Sequence, residues 1–145
     1  MKQRSCYATI ISLAFILTGF AATADKMDQL TGLPVYPGTY MSQALPHATF
    51  CKSATQSVMY MVADAKVETV VQWYTVRLKN FQRYQSNGDG RSQDTIFKPD
   101  GTVEVTVTGV PGNSGDVYAI SFGRFQPALT KPQMETFNHD KPSCN

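Results

Sequence analysis

Cys51, His47 and His139 have the side chains in this chain that are best suited to nucleophilic chemistry. An imidazole within hydrogen-bond reach of a cysteine can deprotonate the thiol and so create a thiolate nucleophile. The spacing of these residues does not by itself bring either histidine to the thiol. Cys144 offers another interpretation, because Cys6 lies in an N-terminal segment with the features of a cleaved secretory signal, and the even pair that remains in an exported chain is more typical of a disulfide. We therefore predict a bridge between Cys51 and Cys144.

The predicted bridge would tether a C-terminal tail, residues 126–145. Three prolines in this tail disfavour a central strand or a continuous helix. Cys144 lies one residue from the end of the chain, so a bond to Cys51 would hold the tail against the domain. In the chain-entropy model, closing a loop of roughly 90 residues stabilises the fold by about 4 to 5 kcal/mol.

His47, His139, Asp140 and Cys144 carry atoms that can bind metal ions, but no two of them have the spacing of a known ligand pair. A zinc site usually shows a pattern such as His-Glu-x-x-His or two nearby cysteines. We therefore predict surface histidines, no metal site and no cofactor.

Asn87, Asp89, Arg91 and Asp94 have some of the spacing of a calcium-binding loop. Arg91 places a cation where an acidic ligand belongs, and no glutamate closes the loop. We predict a hairpin connection at this point.

Asp64 and Glu68 are spaced to lie on adjacent turns of a helix, where paired carboxylates can act as general acid and base. Acidic residues near a helix N-terminus also interact favourably with the helix dipole. A catalytic set would need distant residues such as His47, Asp64 and His139 to converge in one cleft. A small secreted hydrolase of that kind is the alternative hypothesis.

Trp73, Tyr60 and Tyr118 are the residues that we predict for a possible binding surface. Trp73 neighbours Tyr74 on a predicted helix, so its indole lines either a ligand pocket, an interface or the edge of the core.

The N-terminus has the features of a cleaved secretory signal. Lys2 and Arg4 precede an apolar run over residues 8–20, and Ala22 and Ala24 precede Asp25. The run is shorter than the about 20 apolar residues that cross a membrane, so we predict a signal peptide over residues 1–24 and no stable span after cleavage. The remaining 121 residues suit one domain.

Removal of the signal also changes the charge of the chain. Lys2 and Arg4 leave with it, so the count of Lys and Arg falls from 13 to 11 and equals the 11 Asp and Glu. A neutral chain lacks the net positive charge that supplies most non-specific affinity for nucleic acid. We therefore predict no nucleic-acid partner.

Apolar periodicity predicts one helix and a run of antiparallel strands. A strand over residues 57–62 has two apolar faces, and Asp64 is the predicted N-cap of a helix whose apolar residues recur at three- and four-residue steps as far as Phe81. Residues 94–98 and 102–108 form a predicted hairpin, whose second strand alternates valine with polar residues and so predicts one buried and one exposed face.

The order of elements indicates an α+β fold. A weak strand around residues 39–43 precedes the elements above, and a last strand follows at about 117–125. We predict an antiparallel sheet of about four to five strands with one main helix packed on one face. The domain covers residues 25–125, and the tail over residues 126–145 follows it.

The chain resembles small exported bacterial α+β domains of unknown function. The motifs that carry the resemblance are Leu33-Pro-Val-Tyr-Pro37-Gly38, Val70-Val-Gln-Trp-Tyr74 on the helix, and Gly101-Thr-Val-Glu-Val-Thr-Val107 in the late hairpin. It covers most of residues 33–123. The resemblance implies export and the α+β layout, and it transfers no catalytic residues.

These observations predict an exported domain, periplasmic or extracellular, that is a non-enzymatic binding or accessory module of the bacterial envelope. It would bind a protein partner or a small ligand through the sheet face that the helix does not cover. A third hypothesis is a purely structural accessory subunit whose tail docks on a partner.

Overall fold

The structure, a computed structural model, describes residues 25–87 and 90–145. The predicted signal peptide, residues 1–24, lies outside the described residues. Within the described residues, no helix is long and apolar enough to cross a membrane.

The part of the chain that the structure describes contains seven strands and two helices. They are, in order, β1 (Thr39–Ala44), β2 (Ala48–Phe50), β3 (Ser53–Val62), α1 (Val67–Arg77), β4 (Gln82–Ser86), β5 (Gln93–Phe97), β6 (Val103–Val110), β7 (Asn113–Gln126) and α2 (Lys131–Glu135). The strands form one antiparallel sheet in the order β1-β3-β7-β6-β5-β4. β2 pairs with the same edge of β3 as β1 does.

The sheet is larger than the predicted four to five strands, and the fold is mainly sheet. At the edges of the sheet, β1 confirms the weak strand predicted around residues 39–43, whereas β2 was not predicted. β1 and β2 expose most of their side chains, and β4 buries none of its own fully. Edge strands of this kind lack the alternating apolar pattern from which strands are predicted, so pairing with their neighbours defines them.

α1 covers one face of the sheet, which we call the helix face. Its buried residues are Val67, Val70, Val71 and Tyr74, which follow the predicted three- and four-residue spacing. They pack on alternate residues of the central strands. Those that are at most 1% exposed are Ile96, Val105, Val107, Ile120 and Phe122.

The helix begins later than the sequence predicts. Asp64 is not the N-cap; it has a φ of 47°, and α1 begins after Lys66. The chain just before α1 stays extended because it pairs with the start of β7. The amide of Val117 donates to the carbonyl oxygen of Ala65 at 2.9 Å, and Lys66 forms an ion pair with Asp116.

The C-terminal tail packs on the opposite side of the sheet, which we call the tail face. Phe137 is central to this contact, because its ring centroid lies 5.4 Å from that of Phe97 and 5.3 Å from that of Phe125. A second apolar cluster forms here. Its buried members are Phe97, Phe125, Leu129 and Met134.

The turn between β5 and β6 holds the start of the tail. Gly101 has a φ of 72°, and its carbonyl oxygen accepts the amide of Leu129 at 2.9 Å. A Cβ at this position would lie 2.1 Å from the carbonyl oxygen of Leu129. The predicted turn is therefore also a docking point that requires glycine.

Tail packing corrects the predicted exposure of β6. The alternating pattern predicts one solvated face, but every residue of β6 except Val110 is buried. Its polar residues Glu104, Thr106 and Thr108 lie on the tail face of a strand that has neighbours on both sides. A pattern within one strand does not reveal that the tail packs on this face of the neighbouring strands, where Phe137 contacts Phe97 and Phe125.

Candidate ligand-binding groove

Cys51 and Cys144 form the predicted disulfide. Their Sγ atoms are 2.04 Å apart and their Cα atoms 5.0 Å apart, as bonded cysteines require. The bridge joins the end of the tail to the turn between β2 and β3. Because both sulfur atoms are bonded, neither supplies a thiolate nucleophile in this state.

The residues of the alternative hydrolase hypothesis line three separate cavities. His47 lines one beside β3, Asp64 one beside the start of α1, and His139 one between β4 and the tail. Glu68 is exposed on α1, beyond the extended segment that separates it from Asp64. The structure does not assemble these groups in one cleft. Among the described residues, no three His, Cys, Asp or Glu side chains form a group that could hold a metal ion.

Trp73 and Tyr60 belong to one row of aromatic rings on the helix face. Centroid distances along the row are 5.5 Å from Tyr36 to Trp73, 4.9 Å to Tyr74, 6.3 Å to Phe122 and 5.3 Å to Tyr60. Trp73 is half-buried at the outer part of the row, whereas Tyr60 is 8% exposed. Both rings therefore pack in or against the core.

The hydroxyl groups of this row fasten the N-terminal segment to the sheet. Tyr60 donates to Oδ1 of Asp28 at 2.9 Å, and the amide of Tyr36 donates to the hydroxyl oxygen of Tyr74 at 3.2 Å. Burial, together with the bond to the Asp28 carboxylate, raises the pKa of Tyr60 to about 12. Burial also raises the pKa of Tyr74. Both phenols stay neutral at physiological pH and serve as structural hydrogen-bond groups.

Tyr118 lies apart from this row. Its side chain is 39% exposed, and the guanidinium carbon of Arg91 lies 5.2 Å from its ring centroid. The register of β6 and β7 shifts here, because Gly109 pairs with Val117 whereas Thr108 pairs with Ala119. Tyr118 is thus the extra residue of β7 at this bulge, between the residues paired with Gly109 and Thr108. Among the described residues no ring contact joins it to Trp73 or Tyr60, so the three aromatic side chains do not meet.

Of the residues with some of the spacing of a calcium-binding loop, Asp89 lies outside the described residues, and Asp94 belongs to β5. It is buried on β5, and its Oδ1 accepts a hydrogen bond from Nε of Arg83 at 2.7 Å. Because Arg83 already binds this carboxylate, Asp94 stabilises the sheet and is not available as a ligand in a calcium-binding loop.

Glu104 is a buried carboxyl group that the strand pattern assigned to solvent. The hydroxyl of Thr106 donates to its Oε2 at 2.7 Å, and the hydroxyl oxygens of Thr106 and Thr95 are 2.8 Å apart. Asn138 in the tail donates to Thr95. Burial raises the pKa of Glu104 from 4.5 to about 8, although the bond from Thr106 opposes this shift. The carboxyl is therefore mainly protonated at neutral pH and belongs to a network that includes the tail.

An open groove lies on the helix face beyond the edge of α1. Val58 and Phe122 belong to or pack against the core, but Gln56 and Arg124, the next residues on the same face of β3 and β7, are exposed. Gln56 and Arg124 are paired directly opposite each other. The 11 residues of α1 span about 16 Å at 1.5 Å per residue, whereas the 14 residues of β7 extend about 46 Å at 3.3 Å per residue.

One wall of the groove is the break between β1 and β2. Pro46 has no amide hydrogen and cannot donate to a strand ladder. The amide of Leu45 still donates to the carbonyl oxygen of Ser57 at 2.9 Å, after which the chain leaves β3 until β2 begins. The break places His47 at the groove.

Two adjoining cavities form the groove, and both are lined by His47 and Gln56. Their volumes are about 290 Å³ and 320 Å³, close to the lower limit of roughly 300 Å³ for small-molecule sites. The first also has the polar side chains of Arg124 and Gln126 in its wall, with Ala54. The second is mainly apolar and is completed by Leu30, Ala44, Leu45, Ser57 and Val58.

Arg124 gives the groove its permanent positive charge. Arg77 pairs with Asp25 at 2.9 Å and Arg83 with Asp94 at 2.7 Å. In contrast, no carboxylate from residues 25–87 or 90–145 pairs with Arg124, and neither cavity is lined by Asp or Glu. The guanidinium is free to donate to an anionic ligand.

Of the residues that line the polar cavity, His47 was a candidate site residue in the sequence, whereas Arg124, Gln56 and Gln126 were not. Arg124 follows Ile120 and Phe122 at two-residue intervals, so a cation interrupts an otherwise apolar strand face. This interruption was the one feature of the sequence that could have indicated a binding site at Arg124. Whether such a cation is exposed or covered depends on where α1 ends above the sheet, which the sequence pattern does not specify.

No protein-family model, curated protein or solved structure matches this chain. The resemblance to small exported bacterial domains therefore stays a prediction.

Proposed function

We propose that this chain is an exported, non-enzymatic binding domain of the bacterial envelope that holds a small ligand in the groove beside Arg124. The observation that carries the proposal is the groove itself. It places an unpaired guanidinium next to an apolar floor, on strands that the sheet holds in register. A ligand could gain both apolar burial and a charge-assisted hydrogen bond there.

Export is supported by two independent features. The N-terminal 24 residues have the order of charges, apolar run and small residues of a secretory signal. The Cys51–Cys144 bond is of a kind that persists in oxidising compartments such as the periplasm or the extracellular medium.

The proposed ligand surface differs from the one that the sequence suggested. The sequence analysis predicted a ligand surface on the sheet face opposite α1, but the tail packs on part of that face through Phe97, Phe125 and Phe137. The open end of the helix face is the surface we assign to the ligand.

Export is tested by expressing the full chain in a Gram-negative host and analysing the protein in each cell fraction. We expect a periplasmic or secreted protein whose mass corresponds to a chain beginning at Asp25 and which has no titratable thiol. A cytoplasmic protein that retains Met1 would contradict export.

Ligand binding is tested by screening a fragment library against the isotopically labelled, oxidised protein by NMR. We expect shifts of the amides around Gln56 and Arg124 and none around Trp73. Ala54→Trp fills the groove from an exposed position and should abolish the shifts. The matched control, Ala63→Trp, adds the same ring at an exposed position just past the other end of β3 and should retain them. Shifts confined to other surfaces, or none at all, would contradict the proposal.

A further inference from the structure

We propose that the ligand of this groove is a chain-like amphiphile with a carboxylate head, whose head binds Arg124 and whose hydrocarbon chain lies along Val58 and Leu45. This inference rests on the proposed function and specifies its ligand class. The polar and apolar cavities share His47 and Gln56, so one extended molecule can occupy both.

The polar end has the groups that a carboxylate head requires. Arg124 offers a planar set of N–H donors that matches the two oxygens of a carboxylate. Gln56 lies directly opposite Arg124 on β3, and Gln126 is the next residue on the same face of β7. Their amide groups can donate to the same anion. Since no acidic residue lines this cavity, nothing in its wall repels a negative charge.

The apolar end suits a hydrocarbon chain better than a second polar group. Its side chains from Leu30, Ala44, Leu45 and Val58 leave a cavity of about 320 Å³ that contains no charged residue. The cavity is open on one side, so a chain within it stays partly in contact with solvent. Full burial of one CH₂ changes a dissociation constant by about fourfold, and we expect roughly twofold per CH₂ in this open cavity.

The charge of the groove distinguishes among amphiphiles of equal chain length. A quaternary ammonium head would meet Arg124 without a compensating carboxylate. A neutral sugar head would gain the apolar contact but no charge-assisted hydrogen bond. The carboxylate is the head group that uses both ends of the groove.

The experiment compares three probes with ten carbons in the chain, counting the carboxyl carbon of decanoate, namely decanoate, decyl maltoside and decyltrimethylammonium, each below its micelle concentration. Acetate serves as the head group alone. Calorimetry and NMR titration of the mature, oxidised protein give the affinity and the location. We expect decanoate to bind at least tenfold more tightly than the other three, with shifts at Gln56, Arg124 and Val58.

Two variants test the role of the guanidinium. Arg124→Gln should weaken decanoate binding by roughly tenfold, as loss of a charge-assisted contact predicts, and should leave decyl maltoside unaffected. Lys79→Gln removes one positive charge from an exposed position beyond α1 and should leave both affinities unchanged. Both positions are exposed, and equal thermal midpoints would show that the variants fold.

The results separate this inference from the proposed function. Equal affinity for all three ten-carbon probes, or no effect of Arg124→Gln, would overturn the carboxylate head while leaving a ligand-binding groove. Failure of every amphiphile to shift the groove amides, with fragments still binding there, would overturn the ligand class. Failure of fragments and amphiphiles alike would overturn both.

Discussion

The two faces of the sheet are both covered, but by segments of different kinds. On the helix face, α1 packs Val70, Val71 and Tyr74 on an apolar surface that includes Phe122. On the tail face, an irregular segment with a five-residue helix packs beside a row of polar residues that includes Glu104. The helix face is covered by a regular amphipathic helix, and the tail face by an irregular segment that the disulfide attaches to the domain.

This difference shows how a small domain can bury both faces of one sheet. A helix brings its own backbone hydrogen bonds and needs only an apolar stripe. The tail has fewer internal bonds and depends on Phe137, the turn at Gly101 and the bond from Cys144 to Cys51. We therefore expect the helix face to control global stability and the tail face to open first.

The largest effect should come from the helix face. Phe122→Ala removes a fully buried ring that contacts Tyr74 and Tyr60, and we expect the free energy of unfolding to fall by about 3–5 kcal/mol. Tyr118→Ala, on the same strand but 39% exposed, should cost less than about 1 kcal/mol. Urea unfolding measures both. Equal losses would contradict the assignment of the core to this face.

Loss of the disulfide should act mainly on the tail face. The double variant Cys51→Ser/Cys144→Ser opens a loop with a sequence separation of 93 residues, and we expect a loss of about 2–5 kcal/mol. In hydrogen exchange, amides of the tail should lose protection while those of α1 keep most of theirs. Chemically reduced wild-type protein is the control and should behave in the same way. Uniform loss of protection across both faces would contradict independent covers.

The smallest effect, and the most specific, concerns the pH dependence of the tail face. Burial raises the pKa of Glu104 from 4.5 to about 8, so folding favours the protonated form. The stability contribution is complete below the unfolded pKa and is lost as the pH rises through the folded pKa. We expect the free energy of unfolding of the wild type to fall between pH 4.5 and pH 8.

Glu104→Gln retains the shape of the protonated acid and should remove this slope. At pH 6.5 the variant should be more stable than wild type by about 2–3 kcal/mol, whereas at pH 4 the two should be similar. Glu68→Gln, at an exposed position on α1, should leave the slope unchanged. Thermal unfolding across this pH range measures both variants, and a slope that survives in Glu104→Gln would show that another group causes it.

Regular patterns predicted the parts of the fold in which one face is uniformly apolar. The spacing of Val70, Val71 and Tyr74 predicted the buried side of α1, and Val103, Val105 and Val107 predicted the core side of β6. β2 escaped prediction because most of its side chains are exposed, and β1 was predicted only as a weak strand. The start of α1 was misplaced because Asp64 has the chemistry of a cap, whereas pairing of Lys66 with Asp116 delays the helix.

The candidate site was less predictable than the fold. His47 was a candidate because its side chain can ionise. The other residues that line its polar cavity come from β3 and β7, and their residue types are common on protein surfaces. Gln56 and Arg124 are 68 positions apart and become neighbours only through strand register. Residue type alone predicted a different set, His47, Asp64 and His139, whose members line separate cavities.

Local patterns and residue counts are enough to predict the apolar stripe of the helix, the alternating central strands and the single pair of cysteines in residues 25–145. The burial of polar residues and the absence of an acidic partner for Arg124 among the described residues depend on the tertiary structure. Glu104 joins a buried network that reaches Asn138 of the tail, and Arg124 is exposed on the part of the helix face beyond α1. Both outcomes depend on contacts between segments that are distant in the chain, which no local pattern encodes.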